Sequence, residues 1–272
     1  MIKRNSDSDS DKLTVDLINN KILRHTIQFF YETENGLRPF GSGVLAISHG
    51  IHFILTCSHV ADHLITDNND LFIKVDEKGY INVLGEIKYT DIDKSKGIDL
   101  AYIKVDPQMI PFLLKTYKFV TIDKFSKHNL MLDGTNYCVL GYPEKNIKFL
   151  KDNMVTGASY YLAGATNEKP YNYYKLSTDD FFIVQMHGKA TDVITGKKVK
   201  INSRFHGISG GGLWYLKYFF YPETNITIVD YRLIGIVTEF RKGKYFCLIA
   251  NKIHLLLEGL TKIEGLNFRI KN

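Results

Sequence analysis

The stretch "FHGISGGGLW" at residues 205–214 sets Ser209 between a glycine two places earlier and three glycines directly after it, and ends on the only tryptophan of the chain. Glycine loses more conformational freedom on folding than any other residue, so such a cluster marks a sharp turn or a close approach by another group. A serine at that turn is either a nucleophile or the middle of a plain loop. Its hydroxyl is a poor nucleophile at neutral pH until a base takes the proton, and the base in turn needs an acid to orient it. The partners to look for are a histidine and an aspartate at strand ends.

Two stretches supply them. In "HFILTCSHVADHL" (52–64) an apolar strand ends in a short turn that carries His59, followed by a helical turn. In "KGIDLAYIKVD" (96–106) Asp99 leads an otherwise apolar strand, an unfavourable place for a carboxylate unless it has a buried partner. Working outward, short runs rich in Ile, Val, Phe, Tyr and Thr recur, among them "HTIQFFYE", "GSGVLAIS", "LFIKVD", "YCVLGYP", "FFIVQMHG", "ITIVDYRLIGIVTEF" and "YFCLIA". Their spacing of roughly 8–12 residues, with turn signals between, reads as an all-β sandwich or barrel set. The best helix is the last one, "ANKIHLLLEGL", in which Ile253, Leu256, Leu257 and Leu260 share a face.

These motifs, in this order, resemble those of trypsin-like (chymotrypsin-fold) serine peptidases of the bacterial cytosolic type. "LTCSHV" resembles the histidine turn, "GIDLAYIKV" the aspartate strand and "GISGGGLW" the serine loop. "GSGVL", "VLGYP" and "LIGIVTEF" stand at the matching places, so the likeness spans roughly residues 23–260. The resemblance implies two perpendicular six-stranded β-barrels with a C-terminal helix and a site in the cleft between them. It implies a His59–Asp99–Ser209 triad working through an acyl-enzyme, with the N–H groups of Gly207 and Ser209 as oxyanion hole. The substrate pocket would be built by Ser203, His206, Thr238, Glu239 and Phe240, with two alternatives open: Phe240 narrows it towards small side chains, or Glu239 instead attracts a basic one. His59 as base predicts activity rising around pH 6–7, from an ordinary pKa of about 6.5.

Three departures bear on regulation. Ile208 stands where secreted relatives carry an aspartate that pairs with a freshly cut N-terminus. Val60 stands at the place of a disulfide cysteine, and no "IVGG" follows a basic residue near the start. Activation by N-terminal cleavage is therefore not expected; narrow specificity, or a regulatory partner protein, is.

Two other signals compete. His59, Asp62 and His63 mimic an H-x-x-E-H zinc helix, but the aspartate is a methylene short and no third ligand is evident. "GISGG" also fits a nucleophile elbow, with Asp230 and His254 as partners, but "GGG" is a poor helix start.

Composition narrows the remaining classes. The chain has 272 residues, 44% hydrophobic and 24% charged, with a net charge of +6. Its lysines are scattered, and the densest group, "GKKVK" at 196–200, reads as a solvated hairpin tip, so no nucleic-acid partner is expected. No apolar run is long enough for a membrane span, and the start "MIKRNSDSDSDKL" lacks the apolar core of a secretory signal, so a cytoplasmic location is expected. Cys57, Cys138 and Cys247, without a CxxC pair, read as buried free thiols; neither metal nor cofactor is expected. Residues 1–11 read as disordered, with an amphipathic helix after them. The expected organisation is an N-terminal extension at 1–20, a first barrel at 21–130 carrying His59 and Asp99, and a second barrel with terminal helix at 131–272 carrying Ser209. The stretch 163–180 reads as a long surface loop that supplies no core. The expected partner is a protein or peptide substrate; the alternative is a catalytically silent trypsin-like fold that binds proteins.

Overall fold

The computed structural model describes residues 7–268 apart from 67–69, 77–78, 91–96, 129–135, 145–147, 151–152, 156, 164–165, 187–188, 192–197, 201–204 and 222–225. Two curled antiparallel sheets carry the fold. The first takes strands β1 (Thr26–Thr33), β2 (Gly36–Ser48), β3 (Ile51–Thr56), β4 (Leu71–Lys74), β5 (Tyr80–Asn82), β6 (Gly85–Tyr89) and β7 (Ala101–Val105). They run in the order β5-β4-β1-β2-β3-β7-β6, and a short β8 (Val120–Thr121) joins β2 in parallel, making eight strands.

The second half contributes β9 (Asn136–Gly141), β10 (Lys148–Leu150), β11 (Asn153–Val155), β12 (Ser159–Ala163), β13 (Phe181–Gln185), β14 (Lys189–Thr191), β15 (Lys198–Lys200), β16 (Gly212–Tyr221), β17 (Ile226–Arg241) and β18 (Cys247–Lys252). Six of them form one sheet, in the order β12-β9-β16-β17-β18-β13; β10 with β11, and β14 with β15, are separate hairpin pairs. The β14–β15 ladder flanks the lysine-rich turn, whose tip lies outside the described residues. Among the described residues five α-helices complete the fold: α1 (Asp7–Asn20), α2 (Ser58–Thr66), the short α3 (Ile110–Leu113), α4 (Glu168–Tyr174) and α5 (Ile253–Glu264). Among the described residues no helix is long and apolar enough to cross a membrane.

Strand alternation explains why the apolar runs are nearly continuous. One face of each sheet fills its own interior: Ile27, Phe29, Leu45, Ile54 and Ile103 in the first, Val139, Val184, Leu213, Val237 and Leu248 in the second. The opposite face fills the space between the sheets, where Val44, Phe53, Leu55 and Tyr102 meet Leu140, Trp214, Leu233 and Ile236. A strand buried on both sides has no polar face to show. The tryptophan that ends the serine stretch is thus a core anchor, stacked with His25 and met edge-on by Tyr231. α5 closes this shared core with Ile253, Leu256, Leu257 and Leu260, all buried, and ends at Gly265, whose positive φ serves the cap.

Two local expectations need correction. The helix at the start begins at Asp7, inside the stretch read as disordered, and its Ile18 is buried with Ile22 of the following turn. The stretch 163–180 is not a bare loop, because α4 forms within it. The Asn167 side chain accepts the Lys169 N–H at 3.0 Å as a cap, and Pro170 falls in the first turn, where no N–H is needed. Tyr171 is buried in the shared core, where its hydroxyl accepts the Ile183 N–H at 2.9 Å. The barrel boundary expected near 130 falls beside residues 129–135, outside the described residues.

Candidate active site

β3 stops at Thr56 and α2 starts at once, with the N–H groups of Val60 and Ala61 both turned onto the Cys57 carbonyl. That tight reversal leaves the His59 side chain half exposed at the sheet edge. The Ser58 hydroxyl donates to the Leu100 carbonyl at 2.9 Å and so ties the start of α2 to the segment carrying Asp99. His59 Nδ1 meets Asp99 Oδ2 at 2.5 Å, and the His59 backbone N–H donates to Asp99 Oδ1 at 3.1 Å. The carboxylate therefore grips ring and backbone together. It is aimed from behind by Asn251 of β18, whose side-chain oxygen accepts the Asp99 N–H at 2.9 Å.

These contacts set the basicity of His59. Burial works against the charged ring, but the Asp99 hydrogen bond, followed by the contacts with Cys57 and the Asp99 charge, outweighs it, raising His59 from 6.5 to about 10. The expectation of a rise in activity at pH 6–7 is therefore moved upward. Burial also raises the Cys57 thiol, so it stays protonated at neutral pH.

The serine loop is built from its backbone. Ile208 N–H donates to Phe205 O at 3.0 Å, Gly210 N–H to Val237 O at 2.7 Å and Gly211 N–H to Ile208 O at 2.9 Å. The N–H groups of Gly207 and Ser209, alone in that run from Gly207 to Gly211, have no acceptor among the described residues. The His206 carbonyl accepts the Glu144 N–H at 2.8 Å. Because a trans peptide is planar, holding that carbonyl on one side turns the Gly207 N–H to the other. Gly207 has φ +87°, and a Cβ there would lie 2.5 Å from the Tyr142 carbonyl oxygen, so only glycine fits.

Ser42, within the "GSGVL" stretch, fastens this loop to the first sheet. Its hydroxyl donates to Gly207 O at 2.7 Å and accepts the Tyr142 N–H at 2.9 Å, while its own N–H donates to Ser209 O at 2.8 Å. Gly210, at φ +86°, sits so close that a Cβ would run into Ser42 O and the Thr56 hydroxyl. Gly210→Ala is expected to cost at least about 1–3 kcal/mol from backbone strain alone. It should lower the urea midpoint at unchanged slope; an unmoved midpoint would refute this packing.

His59, Asp99 and Ser209 line one cleft of about 370 Å³, together with His206, Thr238, Glu239 and Phe240. Ser203 lies outside the described residues. Ser209 Oγ donates to the Thr238 carbonyl at 3.4 Å, while His59 Nε2 lies 3.6 Å from Cys57 Sγ. No hydrogen bond joins Ser209 to His59 in this arrangement. Glu239 accepts from Arg241 Nε at 2.8 Å, which satisfies its charge locally and weakens the expectation that it selects a basic residue. The Phe240 ring packs on Phe205 and Phe246, 4.7 and 4.9 Å between centroids, and makes this wall apolar. Thr238 is buried and its hydroxyl turns to the Ile249 carbonyl.

The competing constellations are not assembled. His63 is half-buried against Phe40 and Tyr31, and the cluster of metal-ligand side chains among the described residues that holds His59 does not include it. Asp230 is paired with Lys124 and Arg232, and the serine is followed by strand β16 instead of a helix. Cys57, Cys138 and Cys247 are free and buried, as read.

No protein-family model matches the chain, and no curated protein does. Among solved structures, the crystal structure of the thermostable serine protease AL20 from an extremophilic microorganism superposes with a TM-score of 0.52 at 12% identity. It matches over 90% of this chain and 98% of that one. The likeness is one of fold, a chymotrypsin-like double β-barrel. Ser42, Asn251 and Glu144 escaped the sequence reading. The first two had a usable signal, a polar residue inside an apolar strand run, whereas Glu144 acts through its backbone and leaves none.

Proposed function

We propose that the protein is a serine endopeptidase in which Ser209 attacks the peptide carbonyl, His59 takes its proton, and Asp99 holds the imidazole. The observation that carries this reading is the convergence in one cleft of the Asp99–His59 pair and Ser209. The N–H of Ser209, and that of Gly207 two residues earlier, have no acceptor among the described residues. Those N–H groups suit the developing oxyanion of a tetrahedral intermediate. His59 then returns the proton to the leaving amine, and water repeats the sequence on the acyl-enzyme. Closing the triad needs Ser209 Oγ to leave Thr238 and His59 Nε2 to leave Cys57.

The apolar Phe205–Phe240 wall and the locally paired Glu239 support a small or apolar residue before the scissile bond. A cytoplasmic enzyme that cuts one or a few partner proteins fits that restricted pocket, and indiscriminate casein digestion would argue against it. The second reading, a silent protein-binding module, is favoured by one fact alone: Ser209 and His59 are not hydrogen-bonded in this arrangement.

Fluorophosphonate labelling separates the two. Wild type should gain a single adduct at Ser209, and His59→Ala should not. Because the base must be neutral and Asp99 raises His59, the labelling rate should climb above pH 7 towards about 10. No adduct at any pH supports the module; a rate flat from pH 6 to 10 would remove His59 as base.

A further inference from the structure

Cys57 is a thiol that the mechanism does not use, placed beneath the one imidazole that the mechanism cannot lose. The Cys57 Sγ, His59 and Asp99 donor atoms lie within 4.8 Å of one another. Their arrangement is specific. Asp99 occupies Nδ1, while the other ring nitrogen, Nε2, lies 3.6 Å from Cys57 Sγ. A tetrahedral zinc ion with Zn–N of about 2.0–2.1 Å and Zn–S of about 2.3 Å separates its nitrogen and sulfur ligands by about 3.5 Å. The sulfur and nitrogen already stand one coordination edge apart.

We infer that Cys57 and His59 form an inhibitory site for a zinc-class divalent cation, with Asp99 as its outer-shell partner. Sulfur with imidazole favours zinc over magnesium or calcium. A carboxylate on the far ring nitrogen is the arrangement that fixes a metal-bound histidine in tautomer and direction. His59 is 49% exposed on its side chain, so the cation enters from the cleft, and cleft water completes its coordination. Binding releases two protons to solvent, the thiol proton of Cys57 and the Nε2 proton that His59 carries when its ring is charged. The metal then holds the Nε2 lone pair that would accept the Ser209 proton. The inhibitory half rests on the peptidase reading, whereas binding does not.

The test uses Co²⁺ as a spectroscopic stand-in on full-length protein stripped with chelator. Wild type should show a thiolate-to-cobalt charge-transfer band that Zn²⁺ displaces. Cys57→Ala should lose the band while Cys247→Ala keeps it. Circular dichroism verifies the fold of each variant, and Cys57→Ser gives a second loss of thiolate at nearly constant shape. Asp99→Asn should keep the band with affinity weakened roughly 10–100-fold. Zn²⁺ should slow fluorophosphonate labelling of wild type, and Cys57→Ala should need more than about 100-fold more metal, beyond what an outer-shell loss alone gives. No band in wild type, or a band that survives in both folded Cys57 variants, overturns the site. A Cys57-dependent band in protein that never labels upholds the site and overturns the peptidase reading instead.

Discussion

Replacing Ser209 by alanine is expected to lower kcat by on the order of 10⁶, the loss seen when a catalytic unit is broken at its nucleophile. The substitution removes one oxygen whose single hydrogen bond here is a long one, 3.4 Å to Thr238 O. The loop keeps its shape without that oxygen, because Ser42, the Glu144 N–H and the glycines at positive φ define the backbone. Stability should therefore change by less than about 0.5 kcal/mol, as for an ordinary surface change. Turnover on a peptide panel and a denaturant curve, measured on one preparation, check both halves. A variant within about tenfold of wild type, less than 1.4 kcal/mol of barrier, would place the nucleophile elsewhere.

Asp99→Asn is expected to lower kcat by about 10⁴. The amide can still accept one N–H through its oxygen, but if it offers its NH₂ to Nδ1, that nitrogen must become the acceptor. The ring proton then sits on Nε2, where it cannot receive the serine proton. The same change removes the main support of the imidazolium while burial, which lowers the pKa, remains. Whatever activity survives should therefore rise at lower pH than in wild type. Rate profiles from pH 5 to 10 on both proteins decide it, and an unmoved acid limb would show that Asp99 does not govern His59.

Much of this architecture was legible because its signals are local. Strand runs such as "GSGVLAIS" and "ITIVDYRLIGIVTEF" carry β-branched residues between turn signals, and Asp99 was conspicuous as a charge at the head of an apolar strand. The α5 face was legible from its spacing. What escaped depends on partners far away in sequence. Tyr171 reads as loop until Phe181 and Ile183 are seen to meet its hydroxyl. Cys57 reads as an inert strand-end thiol until the His59 ring is laid over it. The orientation of the Gly207 N–H depends on a carbonyl held from Glu144, and no residue type announces that.

Ser42 has a consequence for the timing of synthesis. It lies in the part of the chain made first, yet its hydroxyl and N–H hold carbonyls at Gly207 and Ser209, made much later. A nascent chain emerging from the ribosome has the histidine and the aspartate long before it has a shaped serine turn. On the peptidase reading, cutting power arrives only when the late half docks on the early one. Unfinished or broken copies are thereby harmless to their neighbours.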